Sequence, residues 1–290
     1  MSEIIPQESI LITGASSGIG KACALHFDSL GFNVFAGVRQ KEDALELKKI
    51  SSKNLKPILL DVTSPSMISS ARTQVSEYLG GSGLTGLVNN AGIPFGGSVE
   101  FLSLSDFRYE IEVNLIGAIA TTQTFLPLIR QKRGRIVNIS SLSGFIALPF
   151  MSPYAATKFA LRAINDSLRV ELRPWRISVS IIEIGDVKTR LWDKSLSVIE
   201  KVAKDLPEAG WELYGPINNL RERFQPHGIS PSEVARVVEH AITSRKPKAR
   251  YVVGRDAKLL DLIRRLPISV RDWIIASQLP KYGQVTKENK

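Results

Sequence analysis

The chain has 290 residues, 43% hydrophobic and 23% charged, which supplies enough apolar side chain for one sizeable folded domain and excludes a disordered chain. Its formal charge of +10 invites a nucleic-acid reading, but no zinc-ligand spacing, basic-region helix or basic-aromatic tract accompanies it, so no nucleic acid and no metal site are expected. One cysteine, Cys23, excludes an intramolecular disulfide and sits in an apolar helical stretch as a packing residue.

The first residues, MSEIIPQESI, lack the apolar run of a signal peptide, and no stretch approaches the roughly 18 consecutive apolar residues of a membrane span. A cytoplasmic protein is expected. Strand-like runs then alternate with helical ones. Ser9–Thr13, Asn33–Val38, Lys56–Leu60, Leu84–Asn89, Arg135–Ser140, Ile177–Ile184 and Arg250–Val253 are near-continuous apolar runs, as strands covered on both faces require. Gly18–Leu30, Pro65–Leu79, Leu104–Arg130 and Tyr154–Leu172 carry helical patterning, the last with a stripe of Leu161, Ile164, Leu168 and Leu172. This alternation predicts an α/β fold: a doubly wound parallel sheet of about seven strands with helices on both faces, in a single domain over 1–290.

Two regions depart from the rhythm. Residues 189–225 have no strand pattern but hold Leu191, Trp192, Leu196, Trp211 and Tyr214, and read as a substrate lid. Residues 256–290 read as a basic, amphipathic extension, split by Pro267, that suits either packing against protein or peripheral contact with a membrane.

The first strand runs straight into Thr13–Gly20, TGASSGIG, and then a helix. There Gly14 permits a tight turn, Gly18 lets backbone approach a pyrophosphate, and Gly20 allows close packing of helix on strand, with helix N–H groups facing the anion. Together with NNAG at Asn89–Gly92, NISS ending at Ser141 and YAATK at Tyr154–Lys158, this turn resembles the short-chain dehydrogenase/reductase family. The motifs stand in the family's order over about Ser9–Arg190.

The resemblance implies a Rossmann-type fold, a nicotinamide dinucleotide cofactor and a homodimer or homotetramer. It implies cofactor contacts at Gly14, Ser16, Ser17, Gly18, Ile19 and Gly20. It also implies contacts at Asp61 and Val62 around the adenine, at Asn89, Ala91 and Gly92 around the ribose, and at Gly185, Val187 and Thr189 by the nicotinamide. Cofactor choice turns on the end of the second strand, GVRQ. Val38 stands in the slot where an acidic residue would meet a ribose 2′-hydroxyl, and Arg39 follows, so NADP(H) is expected over NAD(H), with Lys41 auxiliary.

The same resemblance makes Tyr154 the acid-base residue, Lys158 its neighbour on one helical face, Ser141 the group that holds the carbonyl oxygen, and Asn114 the holder of a water that links the lysine to solvent. Ser140 and Ser143 are neighbouring alternatives; the family spacing selects Ser141. Asn114 lies in an apolar helix, where an amide needs partners, which independently suggests a buried polar role. A free tyrosine has a pKa near 10, and a lysine ammonium with the oxidised nicotinamide would lower it. After the sixth strand the family has Pro-Gly, but this chain has Ile184 before Gly185, so a less constrained turn is expected.

The apolar lid residues suggest a bulky hydrophobic alcohol or carbonyl substrate, and the stretches VEFLSLSDF and LRPWRISVSIIE resemble the branch with retinol and hydroxysteroid dehydrogenases. An NADP(H)-binding regulatory protein without turnover is the alternative, and the full Ser141, Asn114, Tyr154, Lys158 set argues against it.

Overall fold

The computed structural model describes residues 8–188, 207–214 and 228–279. In chain order these form β1 (Ser9–Ile12), α1 (Gly18–Ser29), β2 (Asn33–Val38), α2 (Lys41–Lys49), β3 (Leu55–Leu59), α3 (Pro65–Leu79), β4 (Gly86–Asn89), α4 (Leu104–Ile111), α5 (Gly117–Lys132), β5 (Arg135–Ser141), α6 (Ser152–Glu171), β6 (Ser178–Ile184), α7 (Glu208–Tyr214), α8 (Pro231–Thr243), β7 (Arg250–Val253), α9 (Arg255–Ile263) and α10 (Ile268–Ser277). The seven strands make one sheet in the order β3-β2-β1-β4-β5-β6-β7, every neighbouring pair parallel. Strand order reverses between β1 and β4, where a doubly wound sheet opens a crevice at its carboxyl edge.

Alternation along each strand sorts the apolar runs onto the two faces. Ile10, Ile12, Val34, Val88 and Val137 pack with Cys23 and Phe27 of α1 and Val234 and Val238 of α8. Leu11, Phe35, Leu87, Ile136 and Val179 pack on the opposite face with Ile68 and Val75 of α3 and Phe125 and Ile129 of α5. Cys23 is fully buried, and desolvation pushes its thiol up to about 12, in keeping with an inert packing residue.

The expected strands lie where the apolar runs placed them. Three of the described helices escaped the sequence reading, among them α7, in the region read as a lid. α2 is short and polar, with one buried residue, Leu47; α8 has an unmistakable start, Pro231 at its first turn and a capping box between Ser230 and Glu233. The long helix expected over Leu104–Arg130 is interrupted at Glu112–Ile116 by a π-helical turn that holds Asn114.

The C-terminal segment is tied to the sheet by charge. Glu183 of β6 is fully buried between Arg162, at 3.1 Å, and Arg250, and Arg250 reaches Asp261 of α9 at 2.6 Å. Arg264 also meets Asp261, at 2.7 Å, and both guanidiniums lie over the ring of Phe145 at 5.2 and 5.7 Å. Hydrogen bonds from Arg250 and then Arg264 hold the Asp261 carboxyl far below the usual range.

Candidate active site

Gly14 and Gly18 both adopt left-handed backbone, at φ +66° and +56°, which side-chain-bearing residues rarely do. A Cβ on Gly20 would stand 2.2 Å from the carbonyl oxygen of Gly14, so the helix approaches the strand turn as closely as only glycine permits. Asn90, absent from the sequence-based set, fixes this turn. Its Nδ2 donates to the carbonyls of Thr13 (2.9 Å) and Gly14 (3.1 Å), while the amides of Asn90 and Ala91 donate to Thr13 Oγ1 at 3.0 Å each.

Ser17 is the N-cap of α1, yet its side chain makes no cap hydrogen bond, and Ser16, Ser17 and Ile19 are half-buried around the turn. Left-handed glycines, a side-chain-free approach and an uncapped helix start form a cradle that suits a diphosphate. These residues therefore fit the phosphates of a dinucleotide.

At the other end of the cradle, the amide of Ala15 donates to the carbonyl of Gly37 at 2.8 Å, which ties the turn to the end of β2. Val38 is buried there, and Arg39 and Lys41 follow it exposed. Asp61 is half-buried and accepts from the amide and hydroxyl of Thr63 at 2.9 and 2.8 Å. Val62 packs so tightly on α5 that a Cβ at Gly117 would meet its Cγ2 at 2.7 Å.

Asn89 turns its side chain into the sheet. Its Nδ2 donates to Thr122 Oγ1 and to Asn138 Oδ1, each at 2.9 Å, and Asn138 donates onward to Asn165 at 3.1 Å. The first asparagine of NNAG thus ties β4 to β5 and α5, and the second shapes the glycine turn.

The expected catalytic residues converge at the carboxyl ends of β4 and β5. Ser141 ends β5, accepts from the amide of Ser143 at 3.2 Å and acts on the Tyr154 phenol, favouring its ionised form. Lys158 is buried one turn along α6, donates to the carbonyl of Ile139 at 3.1 Å, and holds its ammonium 5.5 Å from the centre of the Tyr154 ring. Asn114 is clamped in both directions to Ile93, accepting from its amide at 2.8 Å and donating to its carbonyl at 2.7 Å; its Nδ2 also lies 3.2 Å from Thr157 Oγ1. At Gly92 a Cβ would stand 3.2 Å from Asn114 Oδ1 and 3.8 Å from Lys158 Nζ, so this glycine keeps the space between them clear.

The electrostatics differ from the sequence expectation. Burial pushes the Tyr154 phenol up to about 12, partly offset by the Ser141 hydroxyl and reinforced by the carboxyl of Glu110. Lys158 is itself pulled down to about 8 by burial, against the pull of Glu110. Two groups share one poorly solvated pocket, and desolvation is the largest influence on each, disfavouring its charged form.

Residues 8–198 match the short chain dehydrogenase family. The chain is 39% identical over 289 residues to estradiol 17-beta-dehydrogenase 2 of Mus musculus, covering 93% of this chain and 74% of that protein. Its fold resembles a short-chain dehydrogenase from Streptomyces avermitilis, with a TM-score of 0.74 and 27% identity over 94% of this chain and 97% of that one. A serine dehydrogenase complexed with NADP+ aligns with a TM-score of 0.73 and 25% identity over 86% and 95% of the two chains. The chain is a short-chain dehydrogenase. It belongs to the family's hydroxysteroid and retinol branch and is an oxidoreductase of CH–OH groups that uses NAD(P).

In this dehydrogenase the turn after β6 is more constrained than the missing proline suggests. Ile184 remains in the strand, the amide of Gly185 donates to the carbonyl of Val253 at 2.8 Å, and Val187 pairs with Ile229. Asp256, at the start of α9, accepts from the amide of Asp186 at 2.6 Å and lies so close that a Cβ on Gly185 would stand 2.1 Å from its Oδ1. The C-terminal segment thus supplies an acceptor that ties this turn down. Thr189 lies outside the described residues.

Tyr214 and two further aromatics stand together beside the dehydrogenase's catalytic helix. Tyr214 donates to Glu100 at 3.0 Å, and its ring meets those of Phe101 and Phe150 edge to face at 6.0 and 6.2 Å. Phe150 has φ +66° and accepts from the amide of Gly97 at 2.8 Å, a left-handed conformation held just before α6. Leu191, Trp192 and Leu196 of the expected lid lie outside the described residues.

Proposed function

We propose that the enzyme interconverts a bulky, apolar alcohol and its carbonyl, steroid-, retinoid- or lipid-like, and prefers NADP(H). The observation that carries the substrate reading is the Phe101–Phe150–Tyr214 cluster, an apolar group at the start of α6, the helix that carries Tyr154. The name of the mouse relative, estradiol 17-beta-dehydrogenase 2, supports the same class. The cofactor reading rests on Arg39, exposed after a β2 end that offers Val38 in place of a carboxylate.

The glycine turn would hold the diphosphate, Arg39 with Lys41 the 2′-phosphate, and Gly185 and Val187 the nicotinamide end. Bound there, the dinucleotide supplies or accepts a hydride. Ser141 holds the carbonyl oxygen, and Tyr154 gives that oxygen a proton as negative charge develops on it. Lys158, supported by Asn114 across the space beside Gly92, restores the proton to Tyr154. Alcohol oxidation runs the same transfers in reverse.

A screen of NADPH consumption against steroids, retinoids, fatty aldehydes and small ketones tests this reading, with paired titrations of NADP+ and NAD+. Turnover confined to small polar carbonyls would refute the substrate class, and equal affinity for the two dinucleotides would refute the cofactor choice.

The C-terminal helices add a contact surface to the proposal. α10 has no buried residue, and Ile268 and Trp273 are exposed, as are Leu259 and Leu262 of α9, beside Lys258, Arg265 and Arg271. Among the described residues no helix is long and apolar enough to cross a membrane. Sedimentation with anionic liposomes, set against light scattering of the protein alone, separates peripheral membrane contact from a homo-oligomer.

A further inference from the structure

Glu110, in the last turn of α4, is fully buried although it is a carboxylic acid. Its Oε1 accepts from the amide of Phe95 at 3.0 Å and from Asn114 Nδ2 at 3.3 Å, and its Oε2, equally buried, has no hydrogen-bond partner among the described residues. An ionised carboxylate with a dry, unpaired oxygen is costly, whereas a carboxyl that carries a proton there is far less so. The position is also specific. Glu110 shares Asn114 Nδ2 with Ile93 and Thr157, and Asn114 Oδ1 borders the space that Gly92 leaves open toward Lys158.

We propose that Glu110 is an internal proton store for the reaction, a carboxyl behind Asn114 that exchanges its proton with Lys158 in each turnover. In the reductive direction the substrate oxygen takes the phenolic proton of Tyr154, and the tyrosinate takes one from the Lys158 ammonium. The neutral lysine is then reprotonated by the Glu110 carboxyl, and the carboxylate left behind regains its proton from solvent. Oxidation reverses each transfer, and in both directions one proton crosses between solvent and substrate oxygen.

Matched proton affinities favour the exchange. Burial pushes Glu110 up to about 8, against opposing pulls from the Phe95 amide, Lys158 and Asn114, while burial brings Lys158 down to about 8. Lys158 and Tyr154 of α6 are the ionisable groups that exchange charge effects with Glu110, and Glu112 of the π turn is exposed to solvent. The two buried groups titrate as a pair. This role rests on the oxidoreductase reading of the site and extends it to a residue that only orients Asn114 if the proposal is wrong.

Glu110→Gln separates the two roles, since the amide oxygen still accepts from Phe95 and Asn114 but no longer titrates. The test compares kcat and KM from pH 6 to 10 in the wild type and Glu110→Gln, using the best substrate of the screen. An infrared pH-difference spectrum of each protein is recorded without substrate. The expected result is a wild-type carboxylic-acid carbonyl band that titrates near 8 and vanishes in Glu110→Gln. It is accompanied by a kcat reduced about 10- to 100-fold, an altered pH profile and an unchanged KM. Superimposable kcat profiles, or no protonated-carboxyl band lost on substitution, would overturn the proposal. Should the wild type turn over nothing in the screen, the substrate reading fails while the infrared titration still decides Glu110. If Glu110→Gln does not fold, Glu110→Asp takes its place, with a shifted band expected and an unshifted one counting against the role.

Discussion

The turn between β1 and α1 and the cluster around Lys158 are built of opposite materials. The turn is backbone: left-handed glycines, a helix start and carbonyls held by Asn90. The cluster is side chain: a phenol, an ammonium and a carboxyl in one poorly solvated space, each displaced toward its neutral form by burial. Backbone geometry of that kind demands particular residues and so leaves a mark in the sequence. Electrostatic tuning depends on how deeply ordinary residues are placed, and leaves none.

The largest effect that would sharpen the contrast is at Tyr154. Tyr154→Phe is expected to lower kcat by about 1,000-fold or more with little change in dinucleotide affinity, measured by steady-state kinetics and fluorescence titration. Retention of most turnover would remove the phenol from the mechanism. On the backbone side, Gly20→Ala places a Cβ 2.2 Å from a main-chain oxygen and is expected to cost about 3 kcal/mol in denaturant unfolding, with weakened dinucleotide binding. Gly31→Ala is the control. It has left-handed backbone but nothing within 4 Å, and should cost about 1 kcal/mol.

Burial of the ionisable groups should also appear as a pH-dependent stability. Glu110 rises from 4.5 to about 8 on folding, so between those values the native state binds more protons than the unfolded one and stability falls as pH rises. Lys158 drops from 10.5 to about 8, so between about 8 and 10.5 the unfolded state binds more protons and stability climbs again. Thermal unfolding should therefore show a minimum near pH 8, with an acid limb of at most about 5 kcal/mol that is absent in Glu110→Gln and an alkaline limb of at most about 3 kcal/mol. A flat profile in the wild type would mean that the cluster is better solvated than its geometry implies.

Smaller effects lie at the cradle's edges. Arg39→Asp is expected to turn the preference between NADP+ and NAD+ by about 10- to 100-fold, read from paired kcat/KM values. Asp256→Ala removes the acceptor for the Asp186 amide and is expected to raise KM for the dinucleotide about fivefold, as loss of one partly buried hydrogen bond would. An unchanged KM would show that β7 and Ile229 hold the turn unaided.

The sequence by itself determined the sheet, the glycine turn and the identity of Ser141, Tyr154, Lys158 and Asn114 as candidates. Short apolar runs rich in β-branched residues and bounded by turn signals suit strands covered on both faces, and glycines at fixed spacing answer to steric demands that hold wherever the chain goes. It was silent on α2, whose single buried leucine gives no stripe, and on Asn90, which differs from Asn89 only by which way a strand end points. It also misjudged the turn at Ile184, because the group that holds that turn, Asp256, lies far along the chain. Only the tertiary structure decided that Asn89 braces the sheet, that burial raises Tyr154 and lowers Lys158, and that Glu110 stands behind Asn114 with an unpaired oxygen. The physical reason is the same in each case. Burial and long-range hydrogen bonds set the charge and direction of a side chain, and both depend on neighbours that sequence spacing does not reveal.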